Sequence, residues 1–280
     1  MNSYIQFPHL GIKLNIDRVA VNIGGVPVYW YGIIIGIGLL LGTCLATAVS
    51  RKKKLPKDCI LDIVLFGLPV AVICARLYYV IFEWNYYSCH LVEIFNIRNG
   101  GIAIYGGIIG GVITALVYCK VKKISFANVA DSASFGLLTG QIIGRWGNFF
   151  NQEAFGSNTD LPWGMTGSAI IEKLERMQNQ GIDVVPGMPV HPTFLYESLW
   201  NLGVLLIVWY LFEKKHKFDG VEFCTYISLY GLGRLWIEGL RTDSLMLGGL
   251  RISQLVGLLC VLVGASVIVY RVFLRKNDIK

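Results

Sequence analysis

Long apolar stretches dominate the pattern of hydrophobic and polar positions along this chain. Seven of them have roughly the 20 residues that an α-helix needs to cross the hydrocarbon core of a bilayer. They lie at residues 28–49, 60–82, 101–119, 129–150, 192–212, 220–239 and 252–274. The pattern therefore predicts an all-α integral membrane protein with about seven transmembrane helices.

Positive charge is distributed unevenly over the connections between these stretches. Because Lys and Arg are enriched in cytoplasmic loops, the distribution places the N-terminus outside and the C-terminus in the cytoplasm. Residues 1–27 then form an outer N-terminal segment, and all 280 residues form a single membrane domain. Fifteen of the 25 Lys and Arg residues follow the first, third, fifth and seventh stretches: Arg51, Lys52, Lys53, Lys54, Lys57, Lys120, Lys122, Lys123, Lys214, Lys215, Lys217, Arg271, Arg275, Lys276 and Lys280.

Composition agrees with a lipid environment for most of the chain. Hydrophobic residues make up 54% of the sequence, charged residues only 15%, and the mean hydropathy is +0.56. A soluble domain of this composition would expose too much apolar surface to water. The net charge of +7 resides in short clusters between apolar stretches, as expected for loops at an anionic leaflet. We therefore expect a lipid bilayer and no nucleic acid as a partner.

Polar residues inside the apolar stretches collect toward the outer side of the membrane. A charged side chain within a span costs on the order of 3 kcal/mol, so several from different helices imply a shared polar cavity. On the cytoplasmic side, Asp62, Asp131 and Glu222 are interpreted as interface residues that water can reach. The outer set comprises Tyr31, Arg76, Tyr105, Arg145, Asn148, Glu197, Arg234 and Glu238.

One long outer loop, at 151–191, connects the fourth and fifth stretches. Within it, residues 169–177 have the pattern of one short amphipathic helix, which could lie on the membrane surface or cover a cavity. A long loop at the polar end of a helical bundle is more often functional than decorative.

Three polar segments carry the candidate chemistry. Residues 144–156 are the densest, Tyr230, Arg234, Glu238 and Arg241 form one stripe along a helix, and residues 191–197 lead into the fifth stretch. A guanidinium is well shaped for two-point contact with phosphate, which favours a phospholipid headgroup as the ligand. An intramembrane ion pair between Arg234 and Glu238 could instead be purely structural, and an anion transporter could offer the same groups.

Several motifs of the chain resemble those of a known family. The run GRWGNFFNQEAFG at 144–156 is similar to the signature of the bacterial phosphatidylglycerol–prolipoprotein diacylglyceryl transferases. Supporting motifs are YWYG at 29–32, ARL at 75–77, GGIAIYGG at 100–107, LPWG at 161–164, HPTFLYE at 191–197 and GLGRLWIE at 231–238. Together they cover nearly the whole chain.

The resemblance implies transfer of the diacylglyceryl group of phosphatidylglycerol to the thiol of the lipobox cysteine of a prolipoprotein. The products would be a thioether and glycerol phosphate. It also implies a multi-pass protein of the bacterial cytoplasmic membrane, with its active site toward the outer leaflet. We expect no cofactor and no metal, and a monomer. The family's functional positions correspond here to Tyr31, Arg145, Asn148, Asn151, Glu153, Tyr230, Arg234, Glu238 and Arg241.

One position departs from the family pattern. Where many members have a histidine in the motif of the third stretch, proposed there as a base, this chain has Tyr105. A phenol with a pKa of about 10 is a poor base at neutral pH. A thiol, however, is already a few per cent thiolate at pH 7, so the reaction could proceed without a histidine base at this position.

The mechanistic hypothesis gives the catalytic roles to Arg145, Arg234, Glu153 and Tyr105. The two arginines would hold the phosphate and stabilise charge on the leaving oxygen. Glu153 and Glu238 would orient the arginines, and either Glu153 or Tyr105 would accept the thiol proton. The predicted substrate-binding residues are Tyr31, Arg76, Asn148, Asn151, Glu197, Tyr230, Glu238 and Arg241.

Further alternatives remain open at this stage. Arg76 could contact a headgroup or extend to the outer interface, and His191 is more typical of a loop or capping residue than of a catalytic one. A secondary transporter would show inverted repeats, which are not evident in the sequence. A non-catalytic assembly factor could contain the same cavity.

Overall fold

The computed structural model describes residues 3–97, 100–214, 218–242, 244 and 246–277, without the side chains of 247 and 273–277. The predicted cytoplasmic charges Lys215, Lys217 and Lys280 lie outside the described residues, as do the side chains of Arg275 and Lys276. The helices are α1 Trp30–Lys52, α2 Cys59–Phe82, α3 Trp84–Tyr87, α4 Ile104–Lys122, α5 Phe126–Asn151, α6 Ser168–Asn179, α7 Thr193–Glu213, α8 Val221–Leu240 and α9 Ile252–Asn277, with short 3₁₀ helices at Pro8–Leu10 and Leu91–Phe95.

The structure is mostly helical, and five helices are long and apolar enough to cross a membrane. These are α1, α2, α4, α7 and the Ile252–Val272 part of α9. A mostly helical membrane protein is therefore confirmed. Helices α5 and α8 are also long, but they contain Arg145, Arg234, Glu238 and other polar residues of the predicted site, and they fall outside this set. Seven spans and the orientation of the termini stay predictions.

The all-α prediction missed small β-sheets in the segments between the long helices and before α1. Strand β1 Tyr4–Phe7 lies between β2 Ile12–Asn15 and β5 Thr166–Gly167 in an antiparallel sheet, so the N-terminal segment is paired to the loop at 151–191. Two further hairpins are formed by β3 Val19–Ile23 with β4 Val26–Tyr29, and by β6 Met246–Leu247 with β7 Leu250–Arg251. Strands of two to five residues are too short for a period-two pattern to stand out in the sequence.

The chain forms two compact units, and each is described here by itself. The first comprises residues 1–42 and 134–280, and the second comprises residues 43–133. In the first unit α8 packs along α7 and α9. A Cβ atom on Gly42 of α1 would lie 2.6 Å from the carbonyl oxygen of Gly136 of α5, so glycine is required where these two backbones touch.

The second unit is organised by α2 packing against α4. A Cβ atom on Gly110 would lie 2.9 Å from Cα of Ala71, which shows how closely the two helices approach. Asp131 in this unit is fully buried and pairs with Lys53 at 2.7 Å. Glu222, in the first unit, is also fully buried. The interpretation of both carboxylates as water-exposed interface residues was therefore wrong.

Helix α6 confirms the amphipathic pattern of the outer loop. Ile170, Leu174 and Met177 lie on one face and are buried in a core that includes Ile5 and Phe155. The helix therefore connects the outer loop to the N-terminal sheet through a shared apolar core.

Candidate active site

The C-terminal end of α5 carries a chain of polar contacts. Arg145 Nη1 donates to Asn148 Oδ1 at 3.4 Å, and Asn148 Nδ2 donates to Glu153 Oε1 at 3.0 Å. Asn151 Nδ2 donates to the same Glu153 oxygen at 3.2 Å. Glu153 therefore acts on Arg145 through Asn148 and not by direct contact, which changes the predicted way in which it orients the arginine.

A tight turn just beyond α5 fixes Glu153. The residues on either side of it, Gln152 and Ala154, have φ angles of 53° and 55°, a left-handed conformation that costs energy for residues other than glycine. Glu153 N donates back to Asn148 O at 3.1 Å. The backbone therefore turns the carboxylate toward the two asparagine amides.

Glu197, near the start of α7, is the centre of the arginine cluster. Its Oε2 atom lies 2.6 Å from Arg145 Nη2 and 3.0 Å from Arg234 Nη1, and its Oε1 atom lies 3.8 Å from Arg241 Nη1. Arg234 also pairs with Glu238, one turn later on α8. The structure thus brings the predicted arginines from α5 and α8 onto one carboxylate oxygen.

The cluster is poorly accessible to water. The side chain of Glu197 is 3% exposed, and those of Arg145 and Arg234 are 21% and 12% exposed. Two guanidinium groups that approach the same carboxylate oxygen repel one another strongly when solvent screening is weak. The carboxylate between them is therefore required to hold them together. Glu197 was predicted only as a substrate-binding residue, and its central position among the arginines was not predicted.

The stripe on α8 continues the polar surface toward the N-terminal end of that helix. Tyr230 lies one turn before Arg234, and its ring centroid is 5.9 Å from that of Tyr226. The Tyr226 hydroxyl accepts a hydrogen bond from Gln141 Nε2 of α5 at 2.9 Å. The two helices are therefore joined by polar contacts below the arginines as well as at them.

A cavity of about 770 Å³ lies beside Glu153. Three predicted site residues, Tyr31, Asn151 and Glu153, contribute to its wall. The remaining lining residues are Arg18, Val28, Tyr29, Gly32, Gln152, Ala169, Glu172, Lys173 and Arg176. One face of α6 therefore lines this cavity, and the two predicted alternatives for the helix stay open.

Three cations of this cavity, Arg18, Lys173 and Arg176, were not among the predicted site residues. Arg18 Nη2 donates to the carbonyl oxygen of Asn151 at 2.9 Å. On α6, residues 169, 172, 173 and 176 have the i, i+3, i+4, i+7 spacing of one helix face, opposite the buried apolar face. That spacing was the signal that could have identified them.

Two predicted site residues, Arg76 and Tyr105, belong to the second unit. Arg76 is buried and donates hydrogen bonds to four backbone carbonyl groups of residues 93–101. Its main hydrogen-bonding capacity is therefore directed at the protein backbone. Tyr105 is half-buried in the first turn of α4.

His191 has the contacts of a structural residue. Its backbone N–H donates to Ser157 O at 3.0 Å and its carbonyl accepts from Gly156 N at 2.9 Å. Its Nδ1 lies 3.2 Å from the Tyr196 hydroxyl. Burial lowers the pKa of the imidazole below its usual value, so His191 is neutral at pH 7.

No group of three or more His, Cys, Asp or Glu side chains that could hold a metal ion occurs among the described residues. The side chains around the cluster present guanidinium, carboxylate, amide and phenol groups.

Fold and site together define a class: a membrane protein in which a buried arginine–carboxylate cluster lies between long helices. The sequence model of the family described as "Prolipoprotein diacylglyceryl transferase" matches residues 18–270. The chain belongs to this family, and the predicted resemblance is confirmed.

Three relatives are similar along almost their whole length. One from Clostridioides difficile (strain 630) is 44% identical over 264 residues, covering 94% of this chain and 99% of the relative. One from Bacillus cytotoxicus is 47% identical over 267 residues, covering 94% of each chain. One from Finegoldia magna is 44% identical over 266 residues, covering 95% of this chain and 100% of the relative. All three are named phosphatidylglycerol–prolipoprotein diacylglyceryl transferase.

Replacing Glu197 by Gln should destabilise the fold. The substitution keeps the side-chain shape but removes the negative charge between two guanidinium groups, and breaking a buried ion pair in this way costs roughly 3 kcal/mol. The measurement is thermal unfolding of the purified protein in detergent, where we expect a lower midpoint.

A matched control is Glu172→Gln. Glu172 also pairs with an arginine, Arg176, but the two side chains are 63% and 72% exposed. An exposed pair of this kind is worth less than about 1 kcal/mol. Equal midpoints for the two variants would contradict the central role of Glu197.

Proposed function

We propose that this chain transfers the diacylglyceryl group of phosphatidylglycerol to the lipobox cysteine of a prolipoprotein, and that Arg145 and Arg234 bind the phosphate. Transfer of a diacylglyceryl group to a prolipoprotein is the reaction for which its family is named. The observation that supports the site assignment is the convergence of both arginines on one oxygen of Glu197.

The reaction needs a nucleophile, a stabilised leaving group and a proton acceptor. The cysteine sulfur forms a bond to the glyceryl carbon that carries the phosphate, and the bond from that carbon to the phosphate oxygen breaks. The electron pair of that bond remains on the phosphate, which leaves as glycerol phosphate. The thiol proton passes to a base.

The arginine cluster suits the leaving-group part of this reaction. A phosphodiester carries one negative charge, and the departing phosphate monoester gains further charge as the bond breaks. Fixed guanidinium groups therefore interact more strongly with the transition state than with the bound lipid, which is the condition for catalysis. Glu197 holds the arginines in place before the lipid arrives, so little reorganisation is needed.

Substitution of either arginine should abolish most of the activity. We expect Arg145→Ala and Arg234→Ala each to lower turnover on the order of a hundredfold or more, because each removes a donor to the developing charge. The assay incubates a lipobox peptide with phosphatidylglycerol and purified protein, and detects the added diacylglyceryl mass by mass spectrometry.

The control for this experiment is Arg51→Ala, which removes an exposed arginine at the end of α1. It should retain normal turnover. Normal turnover in Arg145→Ala or Arg234→Ala would refute the assignment. If the wild-type protein itself left the peptide unmodified, a transporter or an assembly factor would be favoured.

Two groups are candidates for accepting the thiol proton, and the geometry favours Glu153. Its carboxylate lines the 770 Å³ cavity, through which an acceptor peptide can approach. It is also linked through Asn148 to Arg145, so the base and the phosphate-binding group lie in one network. Tyr105 is the second candidate, supported by its position in the family motif of α4.

Glu153→Gln and Tyr105→Phe separate these candidates. We expect Glu153→Gln to lower kcat about a hundredfold, the typical contribution of a general base, and to flatten the rise of kcat with pH. Tyr105→Phe should lower kcat about tenfold and keep that pH dependence. The reverse pattern would transfer the role to the phenol.

We also propose the finer topology: seven spans, N-terminus outside, C-terminus in the cytoplasm, and the cluster toward the outer leaflet of the bacterial cytoplasmic membrane. The arrangement is supported by the basic clusters that follow alternate apolar stretches. We propose a monomer as well.

The native Cys89 offers a test of this topology, because it is exposed in the connection between α2 and α4. A membrane-impermeant maleimide should label it in intact cells, and Cys89→Ser should remove the label. In the Cys89→Ser background, Arg51→Cys should react only after permeabilisation. Labelling of Arg51→Cys in intact cells would invert the orientation.

A further inference from the structure

Arg76 of α2 makes an unusually complete set of backbone contacts. Its Nε donates to Ile94 O at 2.8 Å, and its Nη2 donates to Glu93 O at 2.6 Å. Its Nη1 donates to Gly100 O at 3.0 Å and to Gly101 O at 2.8 Å. A guanidinium has five N–H groups, so four of them are used within the protein.

The same side chain is enclosed on its remaining sides. Only 6% of Arg76 is exposed, and the guanidinium carbon lies 5.0 Å from the centroid of the Tyr87 ring. The side chain therefore has little capacity left for a lipid phosphate. In the connection between α3 and α4, it binds the carbonyl groups of Glu93 and Ile94 and those of Gly100 and Gly101.

Gly101, whose carbonyl oxygen accepts a hydrogen bond from Arg76 Nη1, shows how closely the backbone approaches Arg76. Gly101 has a φ angle of +76°, and a Cβ atom placed on it would collide with Arg76 Nη1. Gly100 has a φ angle of +87°, but a Cβ atom there would meet nothing within 4 Å. Of these two neighbouring glycines, only Gly101 therefore requires the absence of a side chain because of Arg76.

The held segment leads directly into the first turn of α4. Ala103 N donates to Ala75 O, next to Arg76 in the chain, at 3.1 Å. Helix α4 then begins at Ile104, and Tyr105 is its second residue. At Gly106 a Cβ atom would lie 2.6 Å from Cβ of Tyr78 and 2.8 Å from Cα of Ala75. The start of α4 is thus fixed against α2 on both sides of Tyr105.

We propose that Arg76 is a positioning residue: by binding the carbonyl groups of Glu93, Ile94, Gly100 and Gly101 it fixes the first turn of α4 and with it Tyr105. The kinetic part of this inference rests on the proposed participation of Tyr105 in the reaction. The structural part, the immobilisation of residues 93–97 and 100–105, does not depend on it.

Hydrogen exchange measures the structural part without any activity. In Arg76→Gln, amide exchange of the peptide covering 93–105 should be about tenfold faster or more, because the four carbonyl contacts are lost. Exchange in the middle of α2 should stay unchanged. Arg51→Gln, at an exposed arginine, serves as the control and should leave 93–105 as in the wild type. Unchanged exchange in Arg76→Gln would overturn the proposal.

Steady-state kinetics tests the consequence for the reaction. Arg76→Gln should lower kcat about tenfold with KM for phosphatidylglycerol unchanged, because misplaced catalytic groups act on the chemical step. In the Tyr105→Phe background the same substitution should have little further effect. A raised KM at normal kcat would show direct lipid binding by Arg76. Full additivity of the effects of Arg76→Gln and Tyr105→Phe on kcat would show that Arg76 acts elsewhere. Either result would overturn the proposal.

A pair of glycine variants provides the test if Arg76→Gln does not fold. Gly100→Ala and Gly101→Ala impose similar backbone strain, since both residues have positive φ angles. Only Gly101→Ala also displaces the Arg76 guanidinium, so it alone should accelerate exchange at 93–105 and lower kcat. Equal behaviour of the two variants would overturn the proposal.

One further outcome separates this inference from the proposed role of Tyr105. Faster exchange at 93–105 in Arg76→Gln or Gly101→Ala, together with full activity in Tyr105→Phe, would retain the immobilisation by Arg76 and reject the role of the phenol.

Discussion

The shared carboxylate of Glu197 is the interaction on which the rest of the site depends. Positive groups brought together in a poorly hydrated region repel each other, and without a counter-ion the helices that carry them would separate or the side chains would turn toward water. One oxygen of Glu197 within hydrogen-bonding distance of both Arg145 and Arg234 removes this conflict.

The helices that carry these charges are joined by further polar contacts. Ser198 Oγ of α7 donates to Ile142 O of α5 at 3.0 Å, and Trp200 Nε1 of α7 donates to Leu229 O of α8 at 2.8 Å. Gln254 Nε2 of α9 donates to Leu235 O of α8 at 2.7 Å. In a membrane, where apolar side chains gain little by leaving lipid for protein, such contacts and close glycine packing supply the specificity of helix association. They fix the helices that carry Arg145 and Arg234 against their neighbours.

Arginine serves two different purposes in this chain. Arg145 and Arg234 face carboxylates, which an anionic ligand can supplement or replace, whereas Arg76 faces backbone carbonyl groups, which are part of the fold itself. In the sequence all three look alike: a cation at the outer end of an apolar stretch. Only the partner groups, which come from distant positions of the chain, distinguish the arginines that pair with carboxylates from the one that binds backbone carbonyl groups.

The sequence by itself determined the membrane environment, the long helices and most of the polar residues of the site. Each of these depends on local composition: apolar runs of bilayer length, and charges whose insertion into lipid must be compensated. The spacing of Arg234 and Glu238 likewise predicted their contact, because residues four apart share a helix face.

Tertiary structure alone decided which carboxylate serves which arginine, how the outer segments pair, and where the cavity lies. Glu197 meets Arg145 and Arg234 across 52 and 37 positions of sequence, and Arg18 reaches the Asn151 carbonyl across 133. The strand pairing of Ile5 with Gly167 joins segments that have no common local pattern. Contacts of this kind arise from the packing of whole elements, and packing is a property of the assembled chain that no window of the sequence contains.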